Sequence, residues 1–149
     1  MTHNHYRRLS VMLLISFGAM YVLMYAMVDV LANVLPNYNQ FYMAGLMTAP
    51  MALIELLLMG SMYPNKKLNN VIIMSSIAAL IIFFLLIRFQ SGVADKQFLK
   101  SMIPHHASAL LMCRNATITD PEIRELCERI ISSQQSEIDW MKTKLDQLE

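Results

Sequence analysis

Histidine, methionine and carboxylate side chains recur at helical spacing near the C-terminus, and together they could bind a soft metal ion. Met102, His105 and His106 fall on neighbouring turns of one predicted helix face. Imidazole nitrogen and thioether sulfur are ligands that favour copper, especially Cu(I), over Mg²⁺ or Ca²⁺. Two histidines with a glutamate also form a common zinc set, so zinc is the alternative metal. Adjacent histidines on a buried face could equally be core side chains that hydrogen-bond to Gln134 and Glu137.

Two helices must position these side chains, and the sequence predicts both. The first covers about residues 95–115, and Pro104 predicts either a kink or the first turn of a shorter helix. The second begins at Thr119-Asp120-Pro121-Glu122, a capping-box pattern with proline in the first turn. The predicted inner face of the second helix includes Ile123, Leu126, Ile138, Met141 and Leu145. Because the linker is short, an antiparallel hairpin is expected.

The two cysteines suggest a register for this hairpin. If Cys113 faces Cys127, then Glu137 and Met141 lie within about one turn of the cluster at 102–106. A methionine, two histidines and a carboxylate would then converge on one volume between the helices.

The cysteines themselves allow two interpretations. Outside the cytoplasm, Cys113 and Cys127 are expected to form a disulfide, which a small two-helix domain needs for stability. Alternatively, reduced thiolates together with Met112 would bind Cu(I). That site would be separate, because His106 precedes Cys113 by about 10 Å of helix.

The helical segment resembles domain-of-unknown-function family 305. The resemblance rests on Met102-Ile103-Pro104-His105-His106, with Asp95 and Phe98 before it and Met112 after it, and on the segment 134–141. It covers about residues 95–145. It implies a ferritin-like helical fold and, as in characterised members, periplasmic copper binding through methionine and histidine. Carried over to this chain, the resemblance implies as copper ligands Met102, His105, His106, Met112 and Met141.

Three apolar segments precede this region, and each is long enough to span a membrane. They cover about residues 9–31, 41–63 and 71–89, and a spanning helix needs about 20 residues. The first is interpreted as an uncleaved anchor, because its apolar run exceeds that of a signal peptide. Glu55 would lie mid-span, either as a functional carboxyl or as a protonated side chain with one hydrogen bond. The sequence therefore predicts an all-α protein with a transmembrane region at 1–90 and a helical hairpin at 91–149.

Basic residues predict the orientation of the spans. Arg7 and Arg8 precede the first span, Lys66 and Lys67 lie between the second and third, and residues 32–40 carry no charge. Cytoplasmic loops are rich in lysine and arginine, so the N-terminus is expected inside and the hairpin outside. The expected location is a bacterial inner membrane, multi-pass, with a periplasmic C-terminal domain. The net charge of +1 and the lack of a basic cluster predict no nucleic-acid binding.

Taken together, these features favour a membrane-anchored periplasmic protein that binds copper and acts in metal handling. The alternative is a non-metal membrane assembly protein whose hairpin oligomerises. A ferritin-like metalloenzyme is less favoured, because di-iron sites need Glu-x-x-His motifs that the hairpin lacks, so no enzymatic activity is expected. The expected partners are membrane lipid, a metal ion and further copies of the chain, because a hairpin of about 55 residues buries little core alone and two could pair into a four-helix bundle.

Overall fold

A computed structural model describes residues 3–148, and the regular structure within that range is entirely helical. The five α-helices are α1 (His3–Leu23), α2 (Tyr38–Leu58), α3 (Lys66–Arg88), α4 (Asp95–Asn115) and α5 (Pro121–Gln147). Short 3₁₀ turns occur at Met24–Met27, Leu31–Asn33 and Gly60–Met62. The predicted all-α class is confirmed.

The first three helices are long and apolar enough to cross a membrane. Their ends differ from the predicted spans, because hydropathy locates apolar chain rather than helix termini. Helix α1 begins in the polar N-terminal segment and ends at Leu23, and the next four residues tighten into a 3₁₀ turn. Helix α2 ends at Leu58, two residues before Gly60 begins another 3₁₀ turn.

The early end of α2 changes the interpretation of Glu55. This residue lies in the last turn of the helix and not near its middle, where the expected span 41–63 would place it. The Tyr63 hydroxyl, in the turn after the same helix, donates a hydrogen bond of 3.0 Å to Glu55 Oε1. Tyr63 is buried, and its ring meets that of Tyr6 edge-on at a centroid distance of 5.1 Å. The carboxyl therefore has a local partner at the end of its own helix.

The chain divides into two compact units. The first contains residues up to Met24 together with Asn39–Ser91, and the second contains Tyr25–Tyr38 together with the chain from Gly92 onwards. The sequence places the boundary near Gln90, close to the second of these junctions. It does not separate the segment Tyr25–Tyr38, here called the strap, from the membrane region. The strap is thus part of the same unit as α4 and α5.

Apolar side chains attach the strap to the α4–α5 core. Val28 and Leu35 are partly buried and pack against that core. The core itself repeats at helical spacing and consists of Leu99, Ile103, Ala107 and Leu110 from α4 with Ile138, Met141 and Leu145 from α5. Burial of these side chains holds α4, α5 and the strap together.

Polar contacts fix the strap as well. Asn37 is buried, and its Nδ2 donates to the carbonyl oxygen of Lys100 at 3.3 Å. The Asp29 side chain is only 6% exposed, and its Oδ2 lies 3.3 Å from Nη1 of Arg114. An ion pair with one partner buried in this way is screened less by salt than a fully exposed pair.

Helices α4 and α5 run antiparallel. Two contacts show this direction. The side chains of Cys113 and Cys127 hydrogen-bond with each other. His106 precedes Cys113 by two turns of α4, and it lies beside Glu137, which follows Cys127 by nearly three turns of α5. Helix α4 continues through Pro104 to Asn115. The side chain of Asp120 caps α5 by accepting hydrogen bonds from the backbone N–H groups two and three residues ahead, at 2.9 and 3.1 Å.

The start of α5 differs from expectation. Ile123 and Leu126 were predicted on the inner face, but both are exposed. The buried core of α4 ends at Leu110, so the first turns of α5 lie beyond the apolar surface that would cover them. Two apolar side chains near the tip of the α4–α5 pair are consequently left in contact with solvent.

Candidate metal site

A pocket of about 420 Å³ lies between α4 and α5 and brings four of the six predicted ligands together. The lining residues are Phe98, Leu99, Met102, His106, Ser136, Glu137, Trp140 and Met141. Residues four apart in a helix lie on the same face. That spacing joins Met102 to His106 on α4 and Glu137 to Met141 on α5.

His106 is the central polar side chain of this pocket. It is 9% exposed, and its Nδ1 lies 3.1 Å from Oε2 of Glu137. The contact has the distance of an ion pair but lacks the alignment of a hydrogen bond, and the buried Nδ1 has no hydrogen-bond partner within residues 3–148. Burial lowers the pKa of His106 from its ordinary value of 6.5, and His105 lowers it further, whereas the charge of Glu137 opposes the change. The ring is therefore held neutral, the form in which histidine binds metals.

Two thioethers share the pocket with this imidazole. Met141 is 5% exposed and also belongs to the core, while Met102 is half-buried and packs against that core. The Glu137 side chain is 55% exposed, so solvent reaches its carboxylate. One neutral imidazole with two thioethers is a soft, uncharged donor set.

His105 and Met112 lie outside the pocket lining. The His105 side chain is exposed, with its ring centroid 6.1 Å from that of His106. Successive helical residues differ by about 100° in direction, so neighbouring histidines cannot both face the same helix. Met112 is exposed and lies about 9 Å further along α4 than His106.

The pocket lacks the donor set of a harder metal. Across the described residues, no three His, Cys, Asp or Glu side chains come close enough to hold an ion. The zinc set of two histidines and Glu137 would need His105, which points elsewhere. Any metal in this pocket would therefore depend on thioether sulfur.

The two cysteines form a separate cluster, here called the thiol pair. Both are free thiols in the structure, and both are half-buried. The hydrogen bond with Cys127, helped by burial and by the charge of Cys127, raises the pKa of the Cys113 thiol to about 11. The disulfide stays a prediction, but the two residues face each other as the predicted register requires.

Sequence reasoning missed the aromatic part of the pocket. Trp140 lines it and is 64% exposed, and Phe98 lines it from α4. Helical spacing contained the signal, because Trp140 is three residues after Glu137 and Phe98 is four before Met102. Phe98 and the segment 134–141 belong to the family resemblance, but neither aromatic side chain was predicted to line a site.

Comparison with known proteins places this region in a family. The family described as "Domain of unknown function (DUF305)" matches residues 85–145, which include the whole pocket and the thiol pair. The uncharacterized protein L153 of Acanthamoeba polyphaga mimivirus is 40% identical over 114 residues, covering 74% of this chain and 72% of that protein. The chain therefore belongs to the DUF305 family. No solved structure matches it significantly.

Proposed function

We propose that this protein is a membrane-anchored, extracytoplasmic metal-binding protein whose α4–α5 unit holds copper as Cu(I) and acts in metal handling. The observation that carries the proposal is the pocket that joins the buried imidazole of His106 to the thioethers of Met102 and Met141, with the Glu137 carboxylate 3.1 Å from Nδ1 of the ring. A neutral nitrogen donor beside two soft sulfur donors is a ligand set that suits Cu(I).

The donor chemistry supports Cu(I) over other ions. Thioethers bind soft ions and discriminate against Mg²⁺, Ca²⁺ and Mn²⁺. Zinc, the alternative, prefers nitrogen, thiolate and carboxylate ligands, and no trio of such groups gathers in residues 3–148. The bound ion would be copper for transfer or storage, and the proposal includes no enzymatic step.

Glu137 has a different role in this proposal from that of a ligand. Metal-binding histidines usually direct their second ring nitrogen at a carboxylate, which fixes the ring and raises its basicity. Glu137 Oε2 lies 3.1 Å from Nδ1 of His106, in position to do this. His106 would then bind the ion through Nε2, with the ring reoriented slightly to complete the hydrogen bond.

The proposed topology places the α4–α5 unit outside the cytoplasm of a cell such as a bacterium. Arg7, Arg8, Lys66 and Lys67 favour cytoplasmic positions, whereas the strap loop carries only Asp29 as a charged residue. The strap belongs to the same compact unit as α4 and α5, which supports a topology with both on the same side of a membrane. A reporter fused after the last residue should be active only outside the cytoplasm, and activity only inside would overturn this orientation.

A specific observation also favours oligomerisation as a second candidate function. Ile123 and Leu126 are exposed near the tip of α5, and pairing two α4–α5 units into a ferritin-like four-helix bundle would cover them. An assembly protein of this kind would oligomerise without binding metal. Metal analysis of the purified protein, together with its mass in solution, separates the two candidates.

Two neighbouring histidines provide a matched test. We expect His106→Leu to abolish Cu(I) binding and His105→Leu to leave it at one ion per chain, because only His106 lines the pocket. Anaerobic competition with a chromogenic Cu(I) chelator measures both, and circular dichroism checks that helix content is unchanged. Full binding by the His106 variant, or none by the unaltered protein, would refute the proposal.

A further inference from the structure

Trp140 is exposed in a way that packing does not explain. Its side chain lines the pocket beside Met141, yet 64% of the residue is accessible to solvent. Large aromatic side chains normally bury most of their surface in cores, and Trp140 is not among the residues of the α4–α5 core or those packed on it. An indole left open at the edge of a pocket is available to a ligand.

We propose that Trp140 is a specificity-determining residue that covers a soft monovalent cation in this pocket with the face of its indole ring. The inference rests on the proposed function. It extends that function to a residue that would contact the ion through its aromatic ring and would donate no lone pair to it. Tryptophan has the strongest cation–π interaction of the aromatic side chains, effective within about 6 Å of the ring centroid.

The charge of the pocket supports this role. Thioethers are uncharged and histidine binds a metal in its neutral form, so Met102, Met141 and His106 would leave the charge of a bound cation uncompensated. The nearest carboxylate, on Glu137, is directed at the His106 ring and is half exposed. The face of an aromatic ring has a negative electrostatic potential that attracts a cation, and unlike a carboxylate the ring carries no net charge that water must solvate.

The same chemistry discriminates between ions. A ring face can replace water around a weakly hydrated monovalent ion but cannot supply the nitrogen, oxygen or thiolate ligands that Zn²⁺ requires. Removing the indole should therefore weaken Cu(I) and Ag(I) binding by roughly fivefold to thirtyfold, the effect of one to two kcal/mol, and leave Zn²⁺ binding unchanged.

The protein provides its own probe, because Trp140 is its single tryptophan. We expect titration of the full-length protein in detergent with Ag(I), after oxidation of Cys113 and Cys127 to a disulfide so that no thiol competes, to change the tryptophan emission and to saturate at one ion per chain. Ag(I) affinity, measured separately by equilibrium dialysis, should decrease in the order wild type, Trp140→Phe, Trp140→Leu. Ser132→Ala, which alters an exposed side chain of the same helix outside the pocket, should bind Ag(I) as wild type does.

The possible failures are distinguishable. If dialysis shows Ag(I) bound but the emission is unchanged and Trp140→Leu binds equally well, the role of Trp140 is refuted and the proposed function stands. If no ion binds to the wild type, both proposals fall. If the emission depends on protein concentration without metal and Trp140→Leu is monomeric, the indole packs against a second copy and the inference is overturned.

Discussion

The two ends of the α4–α5 pair both carry sulfur, but they differ in how well their polar atoms are paired. In the pocket, Met102 and Met141 accompany an imidazole whose buried Nδ1 has no hydrogen bond. In the thiol pair, Cys113 and Cys127 hydrogen-bond with each other. Sulfur alone therefore does not identify a ligand site, because only the pocket combines thioethers with a buried imidazole.

The largest expected effect comes from exchanging the thioethers. Met102→Leu with Met141→Leu keeps side-chain volume nearly constant and should cost little stability. It should weaken Cu(I) binding by more than about 100-fold, because even partners outside the ligand shell contribute about 10–100-fold to metal affinity. Cys113→Ser with Cys127→Ser is the matched control and should leave Cu(I) affinity unchanged. If the serine variant loses Cu(I) instead, the roles of the two ends are reversed.

Oxidation tests the thiol pair next. In an oxidising compartment the pair should close into a disulfide, and a loop of about 15 residues stabilises the folded state by about 3 kcal/mol. Thiol titration and denaturant unfolding with and without reductant measure this. Metal stoichiometry should be identical in both redox states. Two readily alkylated thiols in protein freshly isolated from such a compartment would contradict the disulfide.

A smaller effect concerns the reactivity of the reduced thiols. Only thiolate reacts with iodoacetamide, so a Cys113 pKa of about 11 makes alkylation slow at pH 8. Cys127→Ser removes the thiol whose hydrogen bond contributes most to raising the pKa of Cys113. The pKa should therefore fall, and alkylation of Cys113 should become roughly tenfold faster. Mass spectrometry of peptides gives the rate. An unchanged rate would mean that burial, not the hydrogen bond, controls this thiol.

The smallest effect is on the titration of the pocket imidazole. His106 should titrate below 6.5 in metal-free protein, and Glu137→Gln should lower its pKa further, because the charge of Glu137 raises it. Since the unfolded chain protonates first, the stability of the metal-free protein should fall as the pH decreases from 6.5 towards the lowered value. Histidine NMR signals and unfolding curves measure both. A pKa above 6.5 would show that Glu137 outweighs burial.

Local sequence patterns predicted much of this structure. Residues 95–115 form the expected helix, and Cys113 faces Cys127 as the register required. Helical periodicity also brought Met102 and His106 to the same pocket as Glu137 and Met141. These features depend on the spacing of residues within one or two helices, and that spacing can be read directly from the sequence.

What the sequence did not reveal depends on contacts between distant segments. The strap was assigned to the membrane region because residues 25–31 are apolar apart from Asp29, and no local pattern indicates that Val28 packs on α4 and α5. His105 was predicted to share a helix face with His106, but successive helical residues differ by about 100° in direction, so only one of the two faces α5. Trp140 was overlooked because its exposure is known only once the core around it is built.

The strap makes the α4–α5 unit discontinuous along the chain, and this affects how the protein is assembled. Asn37 is synthesised 63 residues before Lys100, its partner, and two apolar helices lie between them. If those helices span a membrane as proposed, the strap can reach α4 only after both have crossed in the correct direction. A chain that inserted only one of them would leave Val28 and Leu35 on the wrong side, without the surface they cover. With that topology, packing of the strap on the α4–α5 core would require correct insertion of both helices.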